Sequence, residues 1–553
     1  MFCTKCGTQN ADGVIFCSSC GNALNAAPAA EAAPVVPETE APASTNPIDK
    51  VKATALKVLA PVQPLIEKAK PFVEKNKLLV VGAAGVLALV ICIALLCAIF
   101  GGGSGYDAYK HYIGVKIDDG EIVILYDNKK PKSTGMDAEG IDSISRSIDG
   151  SRAAILTEEG ELAFIKGTKL TKVDEEVEYF MMSSDGTGIA YVTENDDGYT
   201  LTLYNTKNKK AKVVTKNLYG YNFELSPNGD SVCYLERKED DDSASLMFFK
   251  GSKSTKITSD EVVLLGLANN GKYIYVGAEN DDGDAYLYCY DKKGNRDKIG
   301  KISDSEVIFN KDHTQVVYFS SSDGNTRTYI SIKGKEGVKI SSSEAYPILP
   351  GNTYVTSGRY STTVAAKTLL NKVYQCEGEK GTNVWFIRKN PDKSEKLVGG
   401  VYGITLSEDG KMLYYIDDDE LKVLTVKHGD KAADKAKVLA EDVDDYVVTS
   451  NCSKVYYESD NALYCVNGKT GSGKKTIATD NVSYLCINGK DVVYYILDDD
   501  AYASKNGSKG TKVVSDADYI SQYPNGMIRI YSDDGSIYST TGAKKPTKIW
   551  SAD

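Results

Sequence analysis

The sequence predicts an all-β protein. Its main body is a large β-propeller of seven or eight four-stranded blades, joined by one transmembrane helix to a small cysteine-clasped module at the N-terminus. Three observations carry this reading. A turn-plus-strand unit recurs from residue 147 to about 553. Tyr (37) and Gly (49) are abundant while Trp (2) and His (3) are scarce, a balance that favours strands and tight turns over helical bundles. Residues 78–100, "LLVVGAAGVLALVICIALLCAIF", carry no charge at all. A chain of 553 residues also exceeds one ordinary domain, so several units are expected.

The N-terminal module spans residues 1–24. Cys3, Cys6, Cys17 and Cys20 form C-x2-C-x10-C-x2-C, with Gly7 and Gly21 directly after the pairs. Two residues between thiolates let one tight turn aim both sulfurs at a single ion. The following Gly takes φ > 0 and turns backbone N–H groups toward the sulfurs. Two such knuckles complete a tetrahedral S4 site suited to Zn2+ at about 2.3 Å per bond. So short a module has no room for a core, and the metal supplies most of its folding energy. Disulfides would need an oxidising compartment, a rubredoxin-like iron site usually sits on a larger domain, and a thioredoxin-type redox pair needs a βαβ surround. With four Cys and no open ligand position, the zinc is structural. The start "MFCTKCG", Asn10, Gly13 and "FCSSCG" at 16–21 resemble the short zinc ribbon at the N-terminus of many bacterial membrane proteins. The resemblance implies a bacterial, cytoplasm-facing ribbon that binds protein or nucleic acid, and Lys5 alone gives nucleic acid little support.

Residues 25–48 are Ala/Pro-rich and cannot bury enough apolar surface to fold, so they are read as a disordered linker. Residues 49–77 hold Lys50, Lys52, Lys57, Lys68, Lys70, Lys75 and Lys77 among apolar residues, while Pro61, Pro64 and Pro71 exclude one long helix. Two readings stand for this basic juxtamembrane segment: a stretch lying on the inner leaflet, or a solvated spacer whose lysines set topology. Residues 78–100 span roughly 34 Å as a helix, enough for a hydrocarbon core of about 30 Å. The Gly-rich linker 101–110 has no basic residue until Lys110. Positive charge stays on the cytoplasmic side, which puts the N-terminus inside and residues 111–553 outside the cell membrane.

Of the net charge of −11, none comes from residues 1–100, where 8 Lys face 7 acidic residues. The acidic bulk beyond them repels phosphate backbones, so nucleic acid is not an expected ligand of the propeller.

Within 111–553 the markers are "SIDGSRAAIL" from 147, "SSDGTGIAYV" from 183, "SPNGDSVCYL" from 226, "ANNGKYIYVG" from 268 and "NKDHTQVVYF" from 310. They return as "SEDGKMLYYI" from 407, "SNCSKVYYES" from 450, "INGKDVVYYI" from 487 and "YPNGMIRIYS" from 523. Starts lie 36 to 43 residues apart except for one gap of 97, read as a degenerate unit near "LPGNTYVTSG" with an insertion around 357–370. Each marker is followed by a second hairpin turn, a strand, a Lys/Gly turn and a short strand, which makes one blade of a propeller. "SPNGDSVCYL" and "SSDGTGIAYV" resemble the TolB-type propeller repeat, with Pro missing from most turns. Ten or so units exceed the usual maximum of about eight blades, so either some are half-blades or there are two smaller rings, and one large ring is the favoured reading. A terminal blade built from both chain ends is expected to close the ring.

Other motifs read as scaffold. "GKTGSGKK" (468–475) ends in Lys475 where a P-loop needs Ser or Thr, and strands flank it. Asp240–Asp242, Asp417–Asp419 and Asp498–Asp500 lack the alternating ladder of a calcium loop and fall at hairpin turns. His111, His313 and His428 have no G-x-S-x-G partner. Cys233, Cys289, Cys376, Cys452, Cys465 and Cys486 read as small core residues, with a Cys452–Cys465 bridge as an unfavoured alternative. No catalytic residue and no bound organic cofactor is indicated. The expected function is that of a single-pass membrane protein whose outer propeller binds a cell-envelope ligand or protein partner. The alternatives are an envelope glycosidase or lyase on a propeller scaffold, and a sensor signalling through the ribbon.

Overall fold

The structure, a computed structural model, describes residues 110–551 except 197, 239–242, 281, 304–305, 323, 351–354, 358–359, 391–392, 427–432 and 543–544. Cys3, Cys6, Cys17, Cys20, both linkers and the apolar run 78–100 therefore lie outside the described residues, as do Asp240–Asp242 and His428. Among the described residues no helix is long and apolar enough to cross a membrane.

Among the described residues, strands form nine hydrogen-bonded sheets. Two of these have seven strands and fold about a long shared one, Lys210–Leu225 or Glu395–Leu406. Leu218, for example, pairs with Tyr199 on one side and with Glu236 on the other. Dividing both sheets at the shared strand gives eleven blades, numbered in chain order: 113–137, 141–174, 177–218, 218–258, 263–301, 307–341, 346–401, 402–440, 445–478, 482–514 and 517–550. The expectation of seven or eight blades is corrected. No marker interval is a half-blade: the shorter ones hold four strands each once the shared strand is divided, and the gap of 97 holds two blades.

The core lies between blades. Ala154 and Phe164 of blade 2 pack on Phe180 and Tyr191 of blade 3. Clusters of the same kind join every later neighbour, through to Tyr494 and Ile496 of blade 10 against Ile520 and Ile530 of blade 11. Second strands supply a repeated rung of buried tyrosines: Tyr191, Tyr234, Tyr275, Tyr318, Tyr374, Tyr414, Tyr456 and Tyr494. A buried ring needs a partner for its hydroxyl. Tyr234 donates to Ser254 at 2.9 Å, Tyr374 to the Leu369 carbonyl at 2.9 Å and Tyr414 to the Gly468 carbonyl at 3.0 Å.

Several marker turns open on a side chain that accepts a hydrogen bond, and in two units that residue stands beside the first letter of the quoted marker: Thr449 before Ser450 and Asn488 after Ile487. Ser226 Oγ accepts the Ser231 N–H at 3.1 Å, Ser407 Oγ the Met412 N–H at 2.9 Å, and Thr449 Oγ1 the Lys454 N–H at 3.0 Å. Asn310 and Asn488 do the same with an amide oxygen. These turns also touch one another along one rim. The Ile148 N–H donates to Ser184 O, Asp185 N–H to Pro227 O, and Gly489 N–H to Gly526 O. Gly188 and Gly229 pass so closely that a Cβ on either would meet the other's backbone.

The gap of 97 hides blade 7. Its left-handed turn residue is Asn371 (φ 55°), not part of "LPGNTYVTSG". The insertion precedes it: Ser361–Val364 runs parallel to Val307–Asn310 and, with Val355–Ser357, adds two strands to the inner edge of blade 6.

Closure differs from the expectation too. Among the described residues blade 11 has four strands of its own and blade 1 has three, and no blade is assembled from both ends. The ring closes by packing. Asn525 Nδ2 donates to Asp127 Oδ1 at 3.0 Å, the Tyr112 and Tyr523 rings lie 4.5 Å apart, and Lys116 Nζ sits 3.3 Å from the Trp550 ring centre. Burying the faces of both end sheets removes the need for a shared strand.

Candidate binding site in the channel

The first strand of each four-stranded blade is its innermost. Five of them, in blades 7 to 11, line one cavity of about 340 Å3. Its wall runs from Ile348 and Leu349 through Thr405, Ser407 and Glu408, then Tyr446 and Thr449, to Asn488, Asp491 and Gln522. The polar wall is held by its own contacts. Asp491 accepts the Ser450 N–H at 2.6 Å and the Ser450 hydroxyl at 3.1 Å. Gln522 Oε1 accepts the Ile487 N–H at 3.3 Å, and Tyr446 donates its hydroxyl to Gly403 O.

Its electrostatics are one-sided. Burial, and then Asp491 and Asp409, pushes the Glu408 carboxyl up. Asp409 moves down: burial opposes ionisation, but the Ser407 hydroxyl and Lys411 outweigh it. One turn of strand away, Asp445 pairs across the sheet with Glu458. Burial, with Asp445 and Asp444 nearby, pushes Glu458 up to about 7, and its Oε1 is buried without a hydrogen-bond partner. The neighbouring Cys486 thiol is pushed up to about 11 by burial and by these two acids. Such a wall suits a ligand that brings cationic or hydrogen-bond-donating groups.

Larger hollows are less suited. One of about 830 Å3 between blades 4 and 5 includes Asp260, which already meets Arg296 and the Tyr290 hydroxyl. One of about 610 Å3 beside blades 1 and 2 is rimmed by Asp137, Glu139, Glu159, Glu161, Glu175 and Glu176, with Lys172 bridging Glu161 and Glu175. Among the described residues no group of three or more His, Cys, Asp or Glu could hold a metal ion.

The scaffold readings of the sequence fare as follows. "GKTGSGKK" joins the strands Ala462–Asn467 and Lys475–Ala478 as a hairpin loop. Asp418, Asp419, Asp498 and Asp499 are left-handed hairpin residues (φ 48–61°). His111 Nδ1 meets Asp127 Oδ2 at 3.0 Å at the ring seam. His313, 5% exposed, bonds Thr363 Oγ1 at 2.8 Å, and burial pushes it down to about 3, so it stays neutral. Cys233, Cys289, Cys376, Cys452 and Cys465 are buried free thiols and Cys486 is a half-buried one, so the Cys452–Cys465 bridge is not formed. The sequence reading missed Glu408, Asp491, Asp445 and Glu458. The only available signal was their place near a marker turn, which many acids share.

Together these features define an all-β ring of propeller type. The zinc-ribbon domain family matches residues 2–24. Similar solved structures include a eukaryotic initiation factor, at 10% identity over 67% of this chain and 97% of that one, with a TM-score of 0.37. TolB from Acinetobacter baumannii shows 12% identity over 52% and 79%, TM-score 0.19. A putative TolB from Agrobacterium tumefaciens shows 17% over 42% and 89%, TM-score 0.27. No curated protein matches the chain. The fold assignment rests on the sheet order above.

Proposed function

We propose that the chain is a bacterial single-pass membrane protein whose outer ring binds a cell-envelope ligand or protein partner through its channel. Residues 78–100 anchor it, and the lysines of 49–77 keep the N-terminus in the cytoplasm. There Cys3, Cys6, Cys17 and Cys20 hold a structural Zn2+, a donor set of four thiolates that fits this ion. The match of residues 2–24 to a zinc-ribbon domain supports that end of the reading.

One observation carries the binding role: five innermost strands turn Glu408 and Asp491 into a common cavity, and neither acid has an ion-pair partner among the described residues. The test is capture from detergent-solubilised envelope by the full-length protein. A partner should be retained by the wild type and lost with Glu408→Gln plus Asp491→Asn. No retained partner, or one indifferent to these changes, counts against the channel.

A second reading has its own support. Asp445 and Glu458 face each other on adjacent strands, where Cβ atoms lie about 5 Å apart, and burial pushes Glu458 up to about 7, the proton-holding partner that a glycosidase pair requires. Turnover of chromogenic glycosides that disappears in both Glu458→Gln and Asp445→Asn would favour it.

A further inference from the structure

Among the described residues blade 1 has three strands, and the position without one is the innermost. In complete blades the marker turn leads from the first strand into the second, which then runs away from the marker rim. The Lys110 and His111 N–H groups both reach Asp149 O in the marker turn of blade 2, at 3.2 and 3.1 Å. The strand Ile113–Asp118 therefore starts at the marker rim, as a second strand does. Its followers Glu121–Tyr126 and Lys132–Asp137 are the third and fourth. "YIGVKIDDGEIVILYDN" (112–128) indeed parallels "VVYYILDDDAYASKN" (492–506) of blade 10. Among the described residues no strand pairs with the channel edge of 113–118. A row of unpaired backbone groups is a template for another strand.

Two arginines frame that edge. Arg146, at the end of blade 2's innermost strand, donates Nε–H to Ile113 O at 2.7 Å and lies 5.0 Å from the Tyr112 ring centre. Arg529 of blade 11 sits 5.6 Å from Tyr112 and 4.8 Å from Tyr523. It is 3% exposed, and its Nε and Nη2 are buried without hydrogen-bond partners. Among the described residues the arginine ion pairs are those of Arg296 and Arg388, so neither seam guanidinium has a carboxylate partner.

We infer that the innermost position of blade 1 receives an extended strand from a partner polypeptide, whose acidic side chains meet Arg146 and Arg529. Backbone pairing along 113–118 supplies affinity, and the two guanidiniums set register and charge preference. In a chain of net charge −11, two arginines without carboxylates at an open sheet edge mark the place where an acidic strand is tolerated. Neither Arg146, Arg529 nor a residue of 113–118 lines the channel cavity of blades 7 to 11.

The probe is a fluorescein-labelled peptide copying residues 514–523, "VSDADYISQY", an innermost strand of this fold that carries two acids. Anisotropy is read on the full-length protein in detergent. The acidic peptide should bind saturably, and its Asp-to-Lys version should not. Arg146→Gln and Arg529→Gln should each weaken binding about tenfold, the size of one charge-assisted hydrogen bond. Arg146 is only half-buried, so its variant tests the idea even if Arg529→Gln loosens the seam. Glu408→Gln plus Asp491→Asn should leave peptide binding unchanged. Equal binding of the Lys peptide, or no saturation by about 1 mM, overturns the inference. So does binding that arises only once residues 101–109 are replaced, which would make the occupant the chain's own segment.

Discussion

Glu224 lies on the strand Lys210–Leu225 opposite Cys233 and is 3% exposed. Burial pushes its carboxyl up to about 8, against 4.5 for an ordinary glutamate. The folded chain holds this proton where the unfolded chain has already released it. The stability that Glu224 contributes is therefore full below 4.5 and falls as pH rises toward 8. Glu224→Gln should flatten that fall, read as urea midpoints across the same range. The marker side chains act in the opposite sense, as satisfied buried groups. Ser226→Ala strands the Ser231 N–H and should cost about 1–3 kcal/mol in urea unfolding. The recurring marker turns were legible in the sequence from their Ser, Asp, Asn and Gly, whereas the hydrogen bond made by the opening side chain was not. The left-handed fourth position was only partly legible: His313, Cys452 and Asp491 adopt φ 51–57° where other units place Gly. Glu408, Asp491 and Glu458 could not be singled out, since nothing in a row of 76 acidic residues says which ones a ring turns inward.

At the scale of elements, the seam between blades 11 and 1 depends on one short turn. Asp127 (φ 50°) accepts the Tyr112 N–H at 2.8 Å, Asn525 Nδ2 at 3.0 Å and His111 Nδ1 at 3.0 Å. Asp127→Ala removes all three hydrogen bonds and strains the turn, and should cost about 2–3 kcal/mol. Asp127→Asn keeps one oxygen and the tolerance for φ > 0, so its loss should be smaller. Equal urea midpoints for the two variants and wild type would remove Asp127 as the latch. Four strands per repeat could be read from turn spacing alone. The closure could not, because blade 1 lacks the marker that announces a blade. Blade 7 was obscured for a different reason: an inserted hairpin pairs with the neighbouring blade and separates the first strand of blade 7 from its second.

For the whole molecule, eleven packed blades, among the described residues, give a ring in which innermost strands and their turns line a cavity with hydroxyls, amides and the carboxyls of Glu408 and Asp491. That arrangement suits recognition, and the proposed membrane anchor would hold it at the envelope. The all-β class followed from the Tyr-rich alternation, which each blade uses to fill its faces. The proposed compartments rest on charge: seven lysines on one side of residues 78–100 and a Gly-rich linker on the other. Binding of an envelope partner requires the ring to be outside, so topology is the claim on which the reading stands. It is tested by adding protease to intact cells and to lysed cells, with tags at residue 1 and residue 553. The account predicts that the C-terminal tag is lost from intact cells while an N-terminal fragment of about 100 residues survives until lysis. Loss of the N-terminal tag with a protected ring would contradict it.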